Sequence, residues 1–103
     1  MLYALFAEAP DDHHFRAYLA SDASIGCMSG TVYGWESAYA AAYATLPVRL
    51  HVSYAANVAN EAFVAQVQAR HYGGLALASQ LYGGGHLGMI PQAFADALAF
   101  ALA

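Results

Sequence analysis

Lysine is missing from this 103-residue chain, and arginine occurs only at Arg16, Arg49 and Arg70. Three fixed cations against seven carboxylates leave a formal charge of −4, so the phosphate contacts on which nucleic-acid affinity depends have no source. Seven acids are also too few to imitate a duplex backbone at one charge per ~1.7 Å. No direct nucleic-acid binding is expected. Cysteine is almost absent as well. Cys27 stands alone, which rules out an intramolecular disulfide, and no basic segment followed by an apolar one opens the chain, so a cytoplasmic location is expected. Long hydrophobic runs are lacking too. The longest weakly polar stretch, 90–103, is interrupted by Gln92 and Asp96 and falls short of the ~20 residues of a spanning helix. What the chain has is apolar surface: 60% of residues are hydrophobic and 10% charged. A domain this small leaves much of its surface in water and normally covers it with charge. Part of that surface is therefore expected to meet another chain, as a homodimer or larger assembly, and the acidic balance suits a basic protein partner.

The length fits one domain over 1–103. Residues 2–9 and 14–20 read as two strands joined across Pro10-Asp11-Asp12, a turn composition, giving a hairpin. In the second strand Phe15, Ala17 and Leu19 alternate with His14, Arg16 and Tyr18, so one face packs while the other stays wet or meets a partner. A third strand is expected over 24–33, where Gly26 and Gly30 mark a bulge or a close approach. The Ala-rich run 35–46 predicts a helix with an aromatic stripe of Trp35, Tyr39 and Tyr43, stopped by Pro47. Residues 48–54 alternate as a clean strand, and 57–72 predict a helix capped by Gly73-Gly74. Residues 75–82 fit strand or short helix equally, and Pro91 opens a final helix to residue 102. The expected fold class is α+β: a single domain with an antiparallel sheet and helices packed mainly on one face.

Chemistry-bearing residues are scattered. His13, His14, His51, His71 and His86 with Asp11 and Asp12 are the candidate metal ligands, but no pair sits at i, i+4 on a predicted helix, and no metal is expected. Cys27 has no predicted helix N-terminus or neighbouring cation to stabilise a thiolate. The carboxylates form no acid/base pair. No cofactor and no catalytic residue is expected. The strings Asp12-His13-His14 and Gly83-Gly84-Gly85-His86 look like two signatures of the DHH phosphoesterases, yet that family's catalytic domain has no room here and no further Asp motif intervenes.

The first half resembles the HicB-type antitoxins over about residues 2–46. The features are Leu2-Tyr3-Ala4-Leu5-Phe6, the acidic turn Asp11-Asp12, Phe15-Arg16-Ala17-Tyr18-Leu19, Gly26-Cys27-Met28-Ser29, and Glu36 with Ala38 opening an Ala-rich helix. The resemblance implies three antiparallel strands followed by a helix, and a protein that occludes a small basic ribonuclease. The expected function is thus a non-catalytic protein-binding inhibitor, either an antitoxin-like neutraliser or a phage- or plasmid-encoded blocker of a host defence complex such as an anti-CRISPR. The alternatives are a small metal- or Cys/His-dependent hydrolase and a subunit of a symmetric assembly. Tyr3, His14 and Tyr18 on the outward hairpin face are the candidate partner anchors. Phe100 joins them because it lies away from the Phe94, Leu98 and Leu102 stripe assigned to the core.

Overall fold

Leu2, Leu5 and Phe6 turn inward together while Tyr3 and Ala7 stay exposed, which is the three- and four-residue spacing of a helix. The computed structural model describes residues 2–21, 31–55 and 58–103 and places them on α1 (Leu2–Ala7). The expected strand over 2–9 is therefore corrected. A six-residue apolar run has too little polar contrast to show its period, and Ala4, Leu5 and Ala7 favour the helix. A 3-10 turn (Pro10–Asp12) follows, pinned under α1 by His13 Nε2, which donates to Leu5 O at 2.7 Å.

Helices and strands then alternate: β1 (Ala17–Ser21), α2 (Thr31–Ala42), β2 (Arg49–Tyr54), α3 (Val58–Arg70), β3 (Ala76–Leu81), α4 (Gly85–Gly88) and α5 (Ile90–Leu102). The sheet has the order β1-β2-β3, and both pairings are parallel, with Tyr18 beside Leu50 and Leu50 beside Leu77. The expected antiparallel sheet and its hairpin are thus overturned. Each pair of neighbouring strands is joined through a helix, and only a crossover of that length can bring two strands back parallel. The strand expected over 24–33 lies mostly outside the described residues, and its last residues open α2. Residues 75–82, open between two states in the sequence, supply β3.

Helices also cover both faces, where one was expected. Tyr18, Ala20, Leu50 and Val52 face a core shared with Leu5 and Phe6 of α1, Tyr39 of α2, and Phe63 and Val67 of α3. The opposite face, which carries His51, packs under α5. Leu50, His51, Val52 and Ser53 are consecutively buried, as a central parallel strand between two layers requires.

The loop before β2 is zipped to the loop before β3. Leu46 N–H donates to Gly73 O, and Gly73 N–H to Ala44 O, both at 3.0 Å. Gly74 sits at φ +80°, where a Cβ would come within 3.2 Å of Pro47 Cα, so any side chain at this crossing is strained. Just before it, His71 holds a φ of 53° at the end of α3, a left-handed position that glycine occupies without a Cβ penalty. The left-handed cost of roughly 1–2 kcal/mol for a residue with a Cβ outweighs the roughly 0.5–1 kcal/mol of entropy that glycine costs, so His71→Gly is expected to raise stability by about 0.5–1 kcal/mol, read from the urea midpoint. An unchanged or lowered midpoint would show that the imidazole contributes more than the strain costs.

Candidate functional site

The inner face of α5 is made of alanine. Ala93 and Ala97 are buried, with Met89 just before the helix and half-buried Phe100 one turn further on. Small side chains let the helix lie close to the sheet, and Phe100 reaches between two residues of β2. Its ring centroid is 5.7 Å from that of His51 and 5.7 Å from Arg49 Cζ. The Arg49 guanidinium also donates to Phe100 O (3.3 Å), which accepts from Ala103 N–H as well, and to Ala103 O (3.0 Å), placing positive charge at the negative pole of the helix. On the other side of α5, Tyr82 donates to Asp96 Oδ2 at 2.6 Å and Gln92 Nε2 to Asp96 Oδ1 at 2.8 Å. Burial and this bond push the Tyr82 phenol up to about 12, and the bonds from Tyr82 and Gln92 hold Asp96 below the usual carboxylate range.

Clamped this way, the helix turns its large residues outward. Ile90 is 45%, Phe94 58%, Leu98 38% and Leu102 83% exposed, and Leu87 in the preceding turn is 78% exposed. The expected orientation of α5 is reversed, and Phe100 is corrected from a partner anchor to a packing residue of this chain. Residue size pointed to the wrong face. What decides it is the pair of bonds at Arg49 and Asp96, which no helical periodicity records.

The remaining anchors separate. Tyr3 is exposed and sets its ring edge-on to Trp35 at 5.2 Å. His14 is exposed, and its Nδ1 donates to Glu8 Oε2; that bond holds Glu8 below the usual range. Tyr18 is 2% exposed inside the core, so the shared outward face expected for Tyr3, His14 and Tyr18 does not exist. Its ring is covered by α1 because the first segment is a helix and not a neighbouring strand. Cys27 lies outside the described residues, as does the side chain of His86. Among the described residues, no group of three His, Cys, Asp or Glu is placed to hold a metal ion, and no helix is long and apolar enough to cross a membrane.

Two polar groups named in the sequence for other reasons, Glu36 as the start of a helix and His51 as a candidate metal ligand, prove to be buried. Glu36 of α2 is fully buried and accepts from Gln66 Nε2 (2.6 Å), Arg70 Nε and Nη2 (3.2 and 3.0 Å) and Tyr72 OH (2.5 Å). With so many donors converging on it, the carboxylate has little capacity left for a substrate, and the cluster reads as a fastener between α2 and α3. His51 is 4% exposed, and its Nδ1 has no hydrogen-bond partner among the described residues. Burial pulls its pKa below the ordinary value, against a weaker upward pull from Asp96.

The unfolded chain therefore binds a proton at His51 more readily than the folded one. Stability falls as pH drops below about 6.5 and continues to fall until the lowered folded value is passed. Melting temperature is expected to decline from pH 7.5 to 5, and His51→Leu should flatten that decline. A variant as acid-sensitive as the parent would move the cause elsewhere.

A hollow of about 550 Å³ opens at the amino ends of the strands between Arg16, Val48, Arg49 and Ala101. Its Arg49 is already turned onto the α5 carbonyls. Among the described strands the order does not reverse, so they form no crevice of the kind that binds ligands at the switch point of doubly wound sheets. The chain matches no family model, no curated protein and no solved structure.

Proposed function

We propose that this chain is a non-catalytic protein-binding protein whose working surface is the outer flank of α4 and α5, and that it takes the apolar face of a partner helix. One observation carries the reading: Leu87, Ile90, Phe94, Leu98 and Leu102 form an exposed apolar stripe on a helix whose inner face is already fixed to the sheet. Apolar stripes of this kind, repeating every three or four residues, are the recognition element of helix-against-helix docking. Contiguous apolar surface on a small protein marks an interaction site more often than a neutral decoration. The perturbed titratable groups support a binding role over catalysis, since Tyr72, Tyr82 and Asp96 spend their hydrogen bonds on this fold.

The antitoxin resemblance implied three antiparallel strands, and the described sheet is parallel, so the reading proposed here rests on the stripe and draws nothing from that resemblance. Apolar shape here takes over from acidic charge as the recognising feature. The test is a photo-reactive amino acid at Ala95, beside the stripe, in cells making the protein at native level. A discrete protein adduct that disappears with Leu98→Asp is expected. Absence of any protein adduct overturns the reading.

A further inference from the structure

We propose that the occupant of this flank is the same flank of a second copy of the chain, packed antiparallel about a two-fold axis near Phe94. The inference rests on the reading of the stripe as a protein-docking surface and names its partner.

The stripe is continuous. Met89 N–H donates to Gly85 O at 3.1 Å and Ala93 N–H to Met89 O at 3.0 Å, so α4 runs on into α5, and the span from Leu87 to Leu102 is about 22 Å at 1.5 Å per residue. Its charge is zero. The carboxylate of α5, Asp96, lies about 200° around the helix from Phe94 and is tied to Tyr82 and Gln92. Two copies can therefore bring these flanks together without opposing like charges, although each chain carries −4. A foreign partner would find nothing polar on the stripe by which to be selected, and charged or polar groups are what set one partner apart from another. A second copy needs no such mark, because its stripe has the same length and residues.

Antiparallel packing sets Phe94 near its own symmetry mate and Leu102 against Leu87. Exposed Ala95 and Ala99 beside the stripe let the two backbones approach closely. The area is sufficient. At about 150–200 Å² for each large apolar side chain, the exposed fractions of the five residues leave roughly 500 Å² per chain. Doubled, that reaches the roughly 1,000 Å² that a specific interface must clear, at the weak end of the range.

Sedimentation equilibrium of the purified full chain tests this. A dimer that dissociates in the micromolar range is expected. Phe94→Glu and Phe94→Lys, each tested alone, should raise the dissociation constant by about tenfold or more, and mixing the two should restore a dimer. Leu102→Glu, at the most exposed position of the stripe, replaces either variant if its circular dichroism departs from the parent's. A parent chain that is monomeric at tens of micromolar overturns the second copy as occupant. So do charged variants that still dimerise, and a mixture that stays monomeric. The Ala95 adduct separates the two failures: a foreign protein caught there leaves the docking surface standing, and no adduct removes both.

Discussion

Replacing Glu36 with alanine is expected to destabilise the fold by about 3 kcal/mol, at the lower end of the 3–5 kcal/mol range for breaking a buried pair because Arg70 keeps partial access to water. The carboxylate is fully buried, Arg70 is 35% exposed, and Tyr72 is 7% exposed. Losing the acceptor leaves the buried Tyr72 hydroxyl without its partner, and a stranded donor costs more than an exchanged hydrogen bond gains. The phenol already reflects this environment. Burial and the bond to Glu36 push it far above its ordinary value, while the same carboxylate raises Arg70.

Glu36→Gln keeps the shape but aims an amide N–H₂ at a ring of donors, so it should recover only part of the loss. The urea midpoint reads both variants. Tyr72→Phe introduced into Glu36→Ala should then cost much less than it does in the parent, since the two residues act through one network. If the effects instead add, the four donors act independently and the network has no collective role.

The secondary structure was legible wherever a segment carried its own period. Residues 48–54 alternate and form β2, the 57–72 pattern contains α3, and Pro91 stands at the start of α5. The topology was not, and the error began in one segment. Reading 2–9 as a strand supplied a hairpin partner for 14–20, and that hairpin implied an antiparallel sheet. With 2–7 as a helix, the order strand-helix-strand-helix-strand remains, which is the pattern of a parallel sheet.

The candidate site failed for a different reason. Helical periodicity correctly separated Phe100 from Phe94, Leu98 and Leu102, but it cannot say which side faces inward when both are apolar. That choice was made by Arg49 and Tyr82, which are 51 and 14 residues away from their α5 partners. Glu36 was invisible for the same reason, since its donors come from α3 and the segment after it. A buried carboxylate leaves no signal in a local pattern.

Tyr18→Ala is the second large effect, and it distinguishes a core residue from a partner anchor. The ring is 2% exposed, lies beside Leu50 in the parallel register, and meets Phe15 and His13 edge-on at 6.1 and 6.2 Å. Removing it empties a volume between β1 and α1 that an adjacent helix and strand cannot collapse to fill, so a loss of about 3–5 kcal/mol is expected. That is a large fraction of the roughly 5–15 kcal/mol by which a domain of this size is stable, and the variant should be partly unfolded at 37 °C.

Tyr18→Phe isolates the hydroxyl, whose bond to Glu8 Oε1 is 3.5 Å long. At that length it contributes little, and the variant should fall within about 1 kcal/mol of the parent. A surface anchor gives the opposite pattern: Tyr18→Ala would melt like the parent and lose only partner affinity. Denaturation curves of the two variants decide between these outcomes, and a midpoint for Tyr18→Ala within about 1 kcal/mol of the parent would put the ring outside the core and reopen the β1 face as a binding surface.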